Sequence, residues 1–337
     1  MKRTIYHIAT ELGLSPGTIS KVINKTGNVS EETRKRVLDY IKEVGYVPAT
    51  SARMLKSKRS YTIGVVFSED LKIGLEHSFF ASILQNFKSY VEKEGYELSF
   101  IVTQLGEHKM SYYEWCMNKK VDGVFIVVGE ANDDGIIELA NKNIPCVSTD
   151  IVIPGITSVI SDNEDGIIQS LDYLFKDRSL SDVAIITGPL KSRSFYIRYQ
   201  TYMNYLKTNK LPIKKSYIVE AESFGFTSGV NAANKLIEEN PVLPKAILVG
   251  SDDIALGVLK SLKEHQIKVP DDIEIIGFDD IPFAKHFTPS LTTVKQDKVM
   301  IGETAAKALI NMIEHSNQKQ EKLIKVPVSL ILRESTK

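Results

Sequence analysis

The sequence predicts an all-α headpiece over residues 1–48 and an α/β core of two doubly wound lobes over residues 61–337. In the first 45 residues, apolar side chains recur at helical spacing. From Tyr61 onward, short runs rich in Val and Ile alternate with amphipathic stretches of helical length. Apolar strands separated by helices are typical of parallel sheets covered on both faces. Two successive sets of such units therefore indicate two lobes.

The first two predicted helices surround a tight turn. Thr4 is placed to cap the first helix, and Gly13 supplies the left-handed residue that ends it. Ser15 then caps a second helix, with Pro16 at its first position, where a missing N–H costs nothing. The inward face of the first helix consists of Ile5, Ile8, Ala9 and Leu12.

The second helix has a small, polar and basic face opposite its apolar one. Its inward residues are Ile19, Val22 and Ile23, and its outward residues are Gly17, Thr18, Ser20, Lys21 and Asn24. A helix-turn-helix with that outer face suits the major groove of DNA. The same pattern also fits an ordinary helical hairpin packed on a core. We predict DNA contacts from this face together with Thr4, Ser15 and Pro16.

A third helix and a short basic linker follow. Ser30 is the predicted N-cap, Val37 lies on the inner face, and Gly45 ends the helix before Pro48. Residues 49–60 are basic, and their helix-compatible middle is shorter than the ~12–15 residues that an isolated helix needs in water. We expect a linker that folds only when another surface supports it.

Charge is divided unevenly along a chain whose total is balanced, with 42 Lys and Arg against 42 Asp and Glu. Residues 1–58 hold 11 basic and 5 acidic side chains, a net charge of +6, whereas the remainder holds 31 basic and 37 acidic ones, a net charge of −6. A basic module joined to an acidic body indicates a polyanionic partner for the module alone. This distribution favours nucleic-acid binding over a plain helical hairpin.

Composition and motifs argue against several other classes. The chain has 337 residues, 43% of them hydrophobic, which is enough for two or three domains with cores of their own. Lys2 and Arg3 are not followed by an apolar h-region, and no apolar run approaches the ~18 residues of a membrane span. Cys116 and Cys146 lie far apart in the sequence, which fits a reducing cytoplasm better than a disulfide framework or a zinc site. We expect a cytoplasmic protein without a metal or cofactor.

An enzyme and a transport receptor are the two further alternatives. The sequence has no GxSxG, GxxxxGK[ST] or GxGxxG motif, and its six histidines are scattered. A solute receptor of a transport system would carry a secretion signal and no basic headpiece. Both alternatives are therefore disfavoured.

Polar residues follow several predicted strands. The first set of strands is placed at 63–67, 98–102, 123–128 and 146–149, and the second at 183–187, 217–219, 246–249 and 273–278. In doubly wound folds, ligands bind at the carboxyl ends of strands. Asp150, Ser251 and Asp279 stand at such ends, and carboxylates there suit a hydroxyl-rich ligand. The alternative is helix capping, which we expect for Asp165 and Asp253.

A series of motifs runs in order along nearly the whole chain. They are T-I-Y-H-I-A-x-x-L-G-L-S-x-x-T-I-S-K-V-I-N, V-S-E-E-T-R-K-R-V, G-Y-V-P, S-A-R-M-L-K, S-D-N-E-D-G, S-D-D-I-A-L-G, I-I-G-F-D-D and P-S-L-T-T-V-K-Q. In this order and spacing, the chain resembles the lactose/galactose repressor family of bacterial transcription regulators from Thr4 to about Arg333.

The resemblance implies an architecture and an assembly. The core would be periplasmic-binding-protein-like, with lobe 1 at about 61–158 and 290–321 and lobe 2 at about 159–289 and 322–333. Thr50–Lys56 would be a hinge helix that orders on DNA, with Leu55 wedged into the minor groove at the operator centre. Ala52 and Lys56 would be further DNA contacts of this helix. Family dimers bind near-palindromic operators. Because the chain stops soon after Arg333, a homodimer is expected.

The resemblance also implies an effector site in the cleft between the lobes. Arg198 would fix the effector and Asp279 would accept a hydrogen bond from it, while Phe224 would stack on its ring and Phe79 would lie at the mouth. The further carried-over positions are Asp150, Ser194 and Ser251. Aromatic faces beside a carboxylate and an arginine suit a sugar-like ring.

These inferences predict a sequence-specific repressor of carbohydrate-utilisation genes. A dimer would bind a double-stranded operator, and a small sugar-like effector would control its affinity. The alternative is a catabolite-type regulator that responds to a phosphocarrier protein, for which the sequence identifies no docking face. Whether the effector is an inducer or a corepressor stays open, as does its identity.

Overall fold

The computed structural model describes residues 4–23, 26–46, 59–67, 74–75, 77–130, 132–142, 144–315 and 322–337. The chain divides into two units, Met1–Tyr61 and Thr62–Lys337. No helix of the described ranges combines the length and the apolar character that crossing a membrane requires.

The first unit contains the helices α1 (Ile5–Leu12), α2 (Pro16–Ile23) and α3 (Glu31–Glu43). Their starts and ends follow the local signals of the sequence. The Thr4 hydroxyl accepts from the His7 N–H, and Gly13 ends α1 at φ 64°. The Ser15 hydroxyl accepts from the Thr18 N–H at 3.0 Å. The predicted helix boundaries in this unit are therefore confirmed.

The three helices enclose a small apolar core. Its fully buried side chains are Ile8, Ala9, Leu12, Ile19, Val22 and Val37. Arg36 on α3 donates from Nη2 to the Leu12 carbonyl at 2.9 Å, which satisfies one of the free carbonyls at the end of α1. The predicted inward faces are confirmed.

The second unit alternates strands and helices. Its helices are α4 (Ser78–Lys93), α5 (Tyr112–Lys119), α6 (Asp134–Asn141), α7 (Asn163–Asp172), α8 (Arg193–Thr208), α9 (Phe226–Glu238), α10 (Asp252–Glu264) and α11 (Lys298–Glu314). Its strands are β1 (Thr62–Phe67), β2 (Glu97–Ile101), β3 (Gln104–Leu105), β4 (His108–Lys109), β5 (Gly123–Val128), β6 (Cys146–Thr149), β7 (Thr157–Ser161), β8 (Val183–Thr187), β9 (Ile218–Glu220), β10 (Ala246–Val249), β11 (Glu274–Asp279), β12 (Thr292–Gln296), β13 (Leu323–Val326) and β14 (Val328–Ile331). The predicted strands lie within one or two residues of these bounds.

Two six-stranded sheets form the centres of two lobes. Lobe 1 has the strand order β13-β7-β6-β5-β1-β2, and all its neighbours are parallel. Lobe 2 has the order β14-β12-β11-β10-β8-β9 and is parallel except for the β12–β14 pair. The central strands are buried along their whole length, as parallel strands covered by helices on both faces should be. The two doubly wound lobes are confirmed.

The chain crosses between the lobes later than the expected boundaries at 158/159, 289/290 and 321/322. Because β7 pairs with β6, the first crossing follows Ser161. Because β12 pairs with β11, the chain returns to lobe 1 only after Gln296. The third crossing falls at Pro327, between β13 of lobe 1 and β14 of lobe 2. Each strand completes its hydrogen bonding before the chain leaves the sheet, which moves every boundary toward the C-terminus.

Two glycines at strand ends let α8 begin close to the sheet of lobe 2. A Cβ on Gly188 would lie 2.4 Å from the Phe195 ring, and a Cβ on Gly250 would lie 3.0 Å from it. The ring of Phe195, in the first turn of α8, therefore occupies space that only glycines leave free. This packing fixes the N-terminal turn of α8 at the carboxyl ends of β8 and β10.

Candidate functional site

The outward side of α2 carries polar and basic groups and no acidic residue. Ser15, Gly17 and Lys21 are exposed, Pro16, Thr18 and Ser20 are half-buried, and Thr4 is exposed at the start of α1. The opposite side holds Ile19 and Val22, which are buried in the headpiece core. The predicted DNA-contacting residues among the described ones thus share one side of the headpiece, apart from Thr4, which caps α1.

Ser15 and Thr18 form a fixed pair at the N-terminus of α2. Their hydroxyl oxygens lie 2.9 Å apart, and the Ser15 hydroxyl also accepts from the Thr18 N–H. The free N–H groups and the dipole at a helix N-terminus favour a phosphate. Because Pro16 has no N–H and the Thr18 N–H is bonded to Ser15, a phosphate contact at this end of α2 stays a prediction. The other predicted DNA-contacting residues, Asn24, Ala52, Leu55 and Lys56, lie outside the described residues.

In the second unit, Arg198 is held rigidly between α7, α8 and the end of β10. Its Nε donates to Asn163 Oδ1 at 2.7 Å, and its Nη1 donates to the Gly250 carbonyl at 2.5 Å. The guanidinium lies over the Phe278 ring, 3.6 Å from the ring centre, and only 4% of the residue is exposed. Stacking and a planar fork of donors are properties of arginine that lysine does not share.

Asp279 faces this arginine from the end of β11. Its Oδ1 lies 4.0 Å from Arg198 Nη1 and accepts a hydrogen bond from the Gln296 amide. Burial raises the pKa of Asp279 to about 7, and Arg198 and Lys298 oppose this effect. The residue also has a φ of 126°, a conformation that side chains other than glycine rarely adopt. Strain of this kind at a strand end is common at functional sites.

A second buried carboxyl group, Asp252, supports the turn after β11. It accepts from the Thr293 hydroxyl at 2.6 Å and from the Ile281 N–H at 2.9 Å. Burial raises its pKa to about 7, and the negative charge of Asp279 adds to the shift. Burial lowers the pKa of Arg198, which the three carboxylates of Asp279, Asp150 and Asp252 counteract. Asp252 therefore stabilises the turn that follows Asp279.

Lys298 links this turn to the second crossing between the lobes. It is the first residue of α11 in lobe 1, and its ammonium group donates to the main-chain carbonyls of Asp279 and Asp280 in lobe 2. Gln296, which ends β12, reaches the Asp279 side chain. The carboxylate predicted to bind the effector is thus tied directly to a segment that joins the two lobes.

Further polar contacts between described residues join the lobes directly. The Ser194 hydroxyl of lobe 2 donates to Asp150 Oδ1 of lobe 1. Lys191 Nζ lies 3.4 Å from Glu130 Oε1, and His77 Nε2 lies 3.8 Å from Asp253 Oδ2. Of these residues, Asp150, Lys191 and Glu130 lie at the cleft between the lobes.

The contact of His77 with Asp253 is not a full ion pair at neutral pH. Burial lowers the pKa of His77, against the opposing effect of the Asp253 and Asp150 carboxylates. Burial also raises the pKa of Asp253. Both shifts disfavour the charged forms, so the contact adds little attraction between the lobes.

A cavity of about 310 Å³ opens between the lobes. Lobe 1 contributes Gly129, Glu130, Asp150 and Ile151, and lobe 2 contributes Leu190, Lys191, Ser192, Arg193, Tyr196 and Phe224. The size lies at the lower end of ordinary small-ligand sites, which run from about 300 to 1,000 Å³. The wall of this small cavity therefore combines aromatic, acidic and basic side chains.

Comparison with known proteins identifies the family. Residues 4–49 match the family described as bacterial regulatory proteins, lacI family, and residues 173–336 match a periplasmic binding protein-like domain. The HTH-type transcriptional repressor PurR of Histophilus somni is 32% identical over 338 residues, which cover 99% of this chain and 99% of that protein. The chain belongs to the lacI family of bacterial regulatory proteins. It is a DNA-binding transcriptional regulator, as the sequence motifs predict.

Two solved structures of transcription regulators have a similar fold. The lac repressor dimer bound to operator and the anti-inducer ONPF has a TM-score of 0.84 and 27% identity, over 100% of this chain and 99% of that one. The complex of the transcriptional regulator CelR with cellobiose has a TM-score of 0.71 and 25% identity, over 99% of each chain.

Within this lacI-family core, the predicted effector residues occupy three different settings. Asp150 and Phe224 line the cavity, and Ser194 is bonded to Asp150 at its edge. Arg198 and Asp279 lie together but are not part of the cavity wall. Phe79 is buried in lobe 1 and packs edge-on against Phe80, with ring centres 5.1 Å apart. The roles of these residues remain predictions.

Helix capping differs from the expectation at two positions. Ser251 is the N-cap of α10 and accepts from the Ile254 N–H, whereas Asp253 is inside the first turn. Asp162 is the N-cap of α7, and Asp165 is likewise inside the helix. The prediction that Asp165 and Asp253 cap these helices was wrong, because a capping side chain must come from the residue before the first helical one. Ser251 is buried and engaged in capping.

Sequence reasoning missed all the charged and aromatic residues of the cavity wall except Asp150 and Phe224. Lys191, Arg193 and Tyr196 surround the start of α8, and Glu130 follows β5 in the other lobe. A usable signal was present in Lys191 and Arg193, the two basic residues just before and at the observed start of α8, which also carries Arg198. Nothing in the sequence placed Glu130 opposite them, because that contact depends on how the lobes face each other.

Proposed function

We propose that this chain is an effector-controlled repressor of carbohydrate-utilisation genes that binds a near-palindromic operator as a homodimer. Residues 1–48 contact the operator, residues 49–60 form the hinge helix and linker, and residues 61–337 bind the effector and dimerise. Since its partner is the bacterial chromosome, the protein acts in the cytoplasm. The observation that carries the proposal is the cavity walled by both lobes in a chain with a DNA-binding headpiece.

A cavity walled by both lobes supplies a mechanism for control. A ligand that touches Asp150 on one lobe and Phe224 on the other binds best at one arrangement of the lobes. Binding then shifts the population toward that arrangement. The free energy of this shift cannot exceed the difference between the ligand's binding free energies for the two arrangements. Because coupling is reciprocal, operator DNA changes the effector affinity by the same factor.

The chemistry of the cavity supports a sugar-like effector. Asp150 and Glu130 offer carboxylate acceptors to hydroxyl groups, and Phe224 and Tyr196 offer aromatic faces to a ring. The cellobiose complex of CelR and the operator-bound dimer of the lac repressor support a sugar ligand and a dimer in this family.

The decisive experiment is a selection of random DNA duplexes by the full-length protein at near-physiological salt. We expect an enriched palindrome with a flexible central step, which then serves as the probe for release by sugars. Enrichment of no sequence, with or without added metabolite pools, contradicts the proposal.

The hinge role of Leu55 is tested on the same probe. Leu55→Ala should weaken operator binding far more than non-specific binding, because a minor-groove wedge acts only at a kinked site. Leu38, which is exposed on α3, provides the matched leucine-to-alanine control. Equal losses on operator and non-specific DNA contradict a wedge.

The catabolite-type alternative is distinguished by the requirement for a protein partner. If a small sugar alone changes operator affinity, the effector proposal holds. If no small molecule acts but a phosphocarrier protein does, the alternative is correct.

A further inference from the structure

One cation of the cavity wall has no partner among the described residues. Arg193 Nη1 is buried and makes no hydrogen bond within the described ranges. The other charged residues of the wall are engaged: Lys191 pairs with Glu130, and Asp150 accepts from Ser194. Among the described residues, the wall therefore has two acidic and two basic side chains, and Arg193 Nη1 is left without an acceptor.

The start of α8 adds further donors at the same place. The helix begins at Arg193, and its N-cap, Ser192, makes no side-chain capping bond. Lys191, Ser192 and Arg193 all line the cavity. The uncapped N–H groups of a 16-residue helix and the positive end of its dipole are therefore presented beside the unpartnered guanidinium.

The rest of the wall suits a hydroxyl-bearing ring. Phe224 and Tyr196 are the aromatic residues of the wall, and Asp150 and Glu130 are its acceptors for hydroxyl groups. A cavity of about 310 Å³ holds a ligand of monosaccharide size with one charged substituent.

We propose that the ligand of this cavity is an anionic carbohydrate, a hydroxyl-bearing ring with a carboxylate or phosphate group, and that Arg193 binds the anion. The inference rests on the proposed effector function and narrows its ligand class. A guanidinium binds either group through two parallel hydrogen bonds. A neutral sugar can accept from Nη1 only through a hydroxyl or ring oxygen and does not form the stronger charge-assisted hydrogen bonds that an anion forms.

The test compares matched pairs of sugars on the full-length protein. The pairs are D-glucose with D-glucuronate, D-galactose with D-galacturonate, and D-glucose with glucose 6-phosphate. Binding is followed by thermal stabilisation and by titration calorimetry. We expect at least one anion to bind the wild type about tenfold or more tightly than its neutral partner, as a hydrogen bond to a charged group implies. The uronate and phosphate arms show which anion the site takes.

Arg193→Gln should bind both members of the preferred pair equally. The readout is the ratio of two affinities within one variant, so a general loss of stability does not mimic it. Arg193→Lys should retain part of the preference, because it keeps the charge but loses the bidentate geometry. Lys245, which is exposed on lobe 2 outside the cavity, provides the charge-matched control Lys245→Gln, whose ratio should equal that of the wild type.

Three results overturn the inference. In the first, the wild type binds the neutral and the anionic sugar of each pair equally well. In the second, Arg193→Gln keeps the preference for the anion. In the third, every anion stabilises Arg193→Gln as much as it stabilises the wild type. Each of these leaves operator selection intact and therefore differs from failure of the proposed function. That failure would show as an absence of sequence enrichment in the duplex selection.

Discussion

The hydroxyl of Ser194 in lobe 2 donates a hydrogen bond to the carboxylate of Asp150 in lobe 1. Ser194 is in the first turn of α8, and Asp150 follows β6 with a φ of 67°. The contact joins the two lobes at the edge of the cavity that Asp150 lines. A ligand in this cavity therefore meets an acceptor whose position depends on how the lobes are arranged.

Ser194→Ala should raise the effector concentration needed for half-maximal change in operator affinity by about tenfold. The expected size is that of a hydrogen bond to a charged group, about 1.5–3 kcal/mol, reduced by competing water. The measurement is operator binding over an effector titration. Ser181 donates to Asp182 within lobe 2 alone, so Ser181→Ala is the matched control and should behave as the wild type. Equal responses of the two variants would contradict a role for the contact between the lobes.

Arg198→Lys should abolish the effector response and leave operator affinity largely intact. Lysine keeps the charge, but Asn163 Oδ1 and the Gly250 carbonyl lose their donors, and the stack on Phe278 is lost. We expect the free energy of unfolding of the core to fall by about 2–4 kcal/mol, because two buried acceptors become unsatisfied. Urea unfolding and operator titrations measure the two effects.

The control for Arg198→Lys is Arg178→Lys, at a partly exposed pair with Glu274. This variant should lose less stability and keep its effector response. Loss of operator binding by Arg198→Lys, without loss of folding, would refute the placement of Arg198 in an effector site.

Ile19→Ala should unfold the headpiece and leave the second unit folded. Ile19 is fully buried in the small core of α1, α2 and α3. Removing such a side chain costs about 2–5 kcal/mol, a large share of the stability of a domain this small. Because the chain divides after Tyr61, calorimetry should show the unfolding transition of the second unit unchanged while operator binding is lost. Leu38→Ala, at an exposed position of α3, should retain binding. A shift in the unfolding transition of the second unit in Ile19→Ala would show that the two units do not unfold independently.

Asp279→Asn should change how stability depends on pH. Burial raises the pKa of Asp279 in the folded protein to about 7, above the ~3.9 of an exposed aspartate. The folded state therefore holds the proton more tightly. This stabilising contribution is fully present below pH ~4 and is lost as the pH rises through about 7. Relative to the wild type, Asp279→Asn should gain stability between pH 5 and pH 8.

Thermal unfolding at several pH values between 5 and 8 measures this difference. Asp165→Asn, at an exposed position of α7, is the control and should follow the wild type in parallel. Parallel curves for Asp279→Asn as well would contradict the raised pKa.

The limits of the predicted helices and strands follow from short-range signals. Thr4, Gly13 and Ser15 act on N–H and carbonyl groups a few residues away, so their residue types alone place the ends of α1 and the start of α2. The apolar runs of β5 and β10 predict strands that are buried over their whole length, because a parallel strand covered on both faces needs no polar alternation. The capping of α7 and α10 was misjudged by a few residues because several acidic or hydroxyl side chains stand next to each other there.

The sequence by itself determined the helix-turn-helix headpiece, the two sets of alternating strands and helices, and the family. Only the tertiary structure decided which polar groups face each other. Ser194 and Asp150 are 44 residues apart and Arg198 and Gly250 are 52 apart, and both contacts depend on strand order and on the packing of whole elements. The same is true of Arg193, whose Nη1 group is seen to have no hydrogen-bond partner among the described residues only when the fold places its neighbours. Capping and periodicity act within about one helical turn, whereas a binding site joins residues that the fold, and not the sequence distance, brings together.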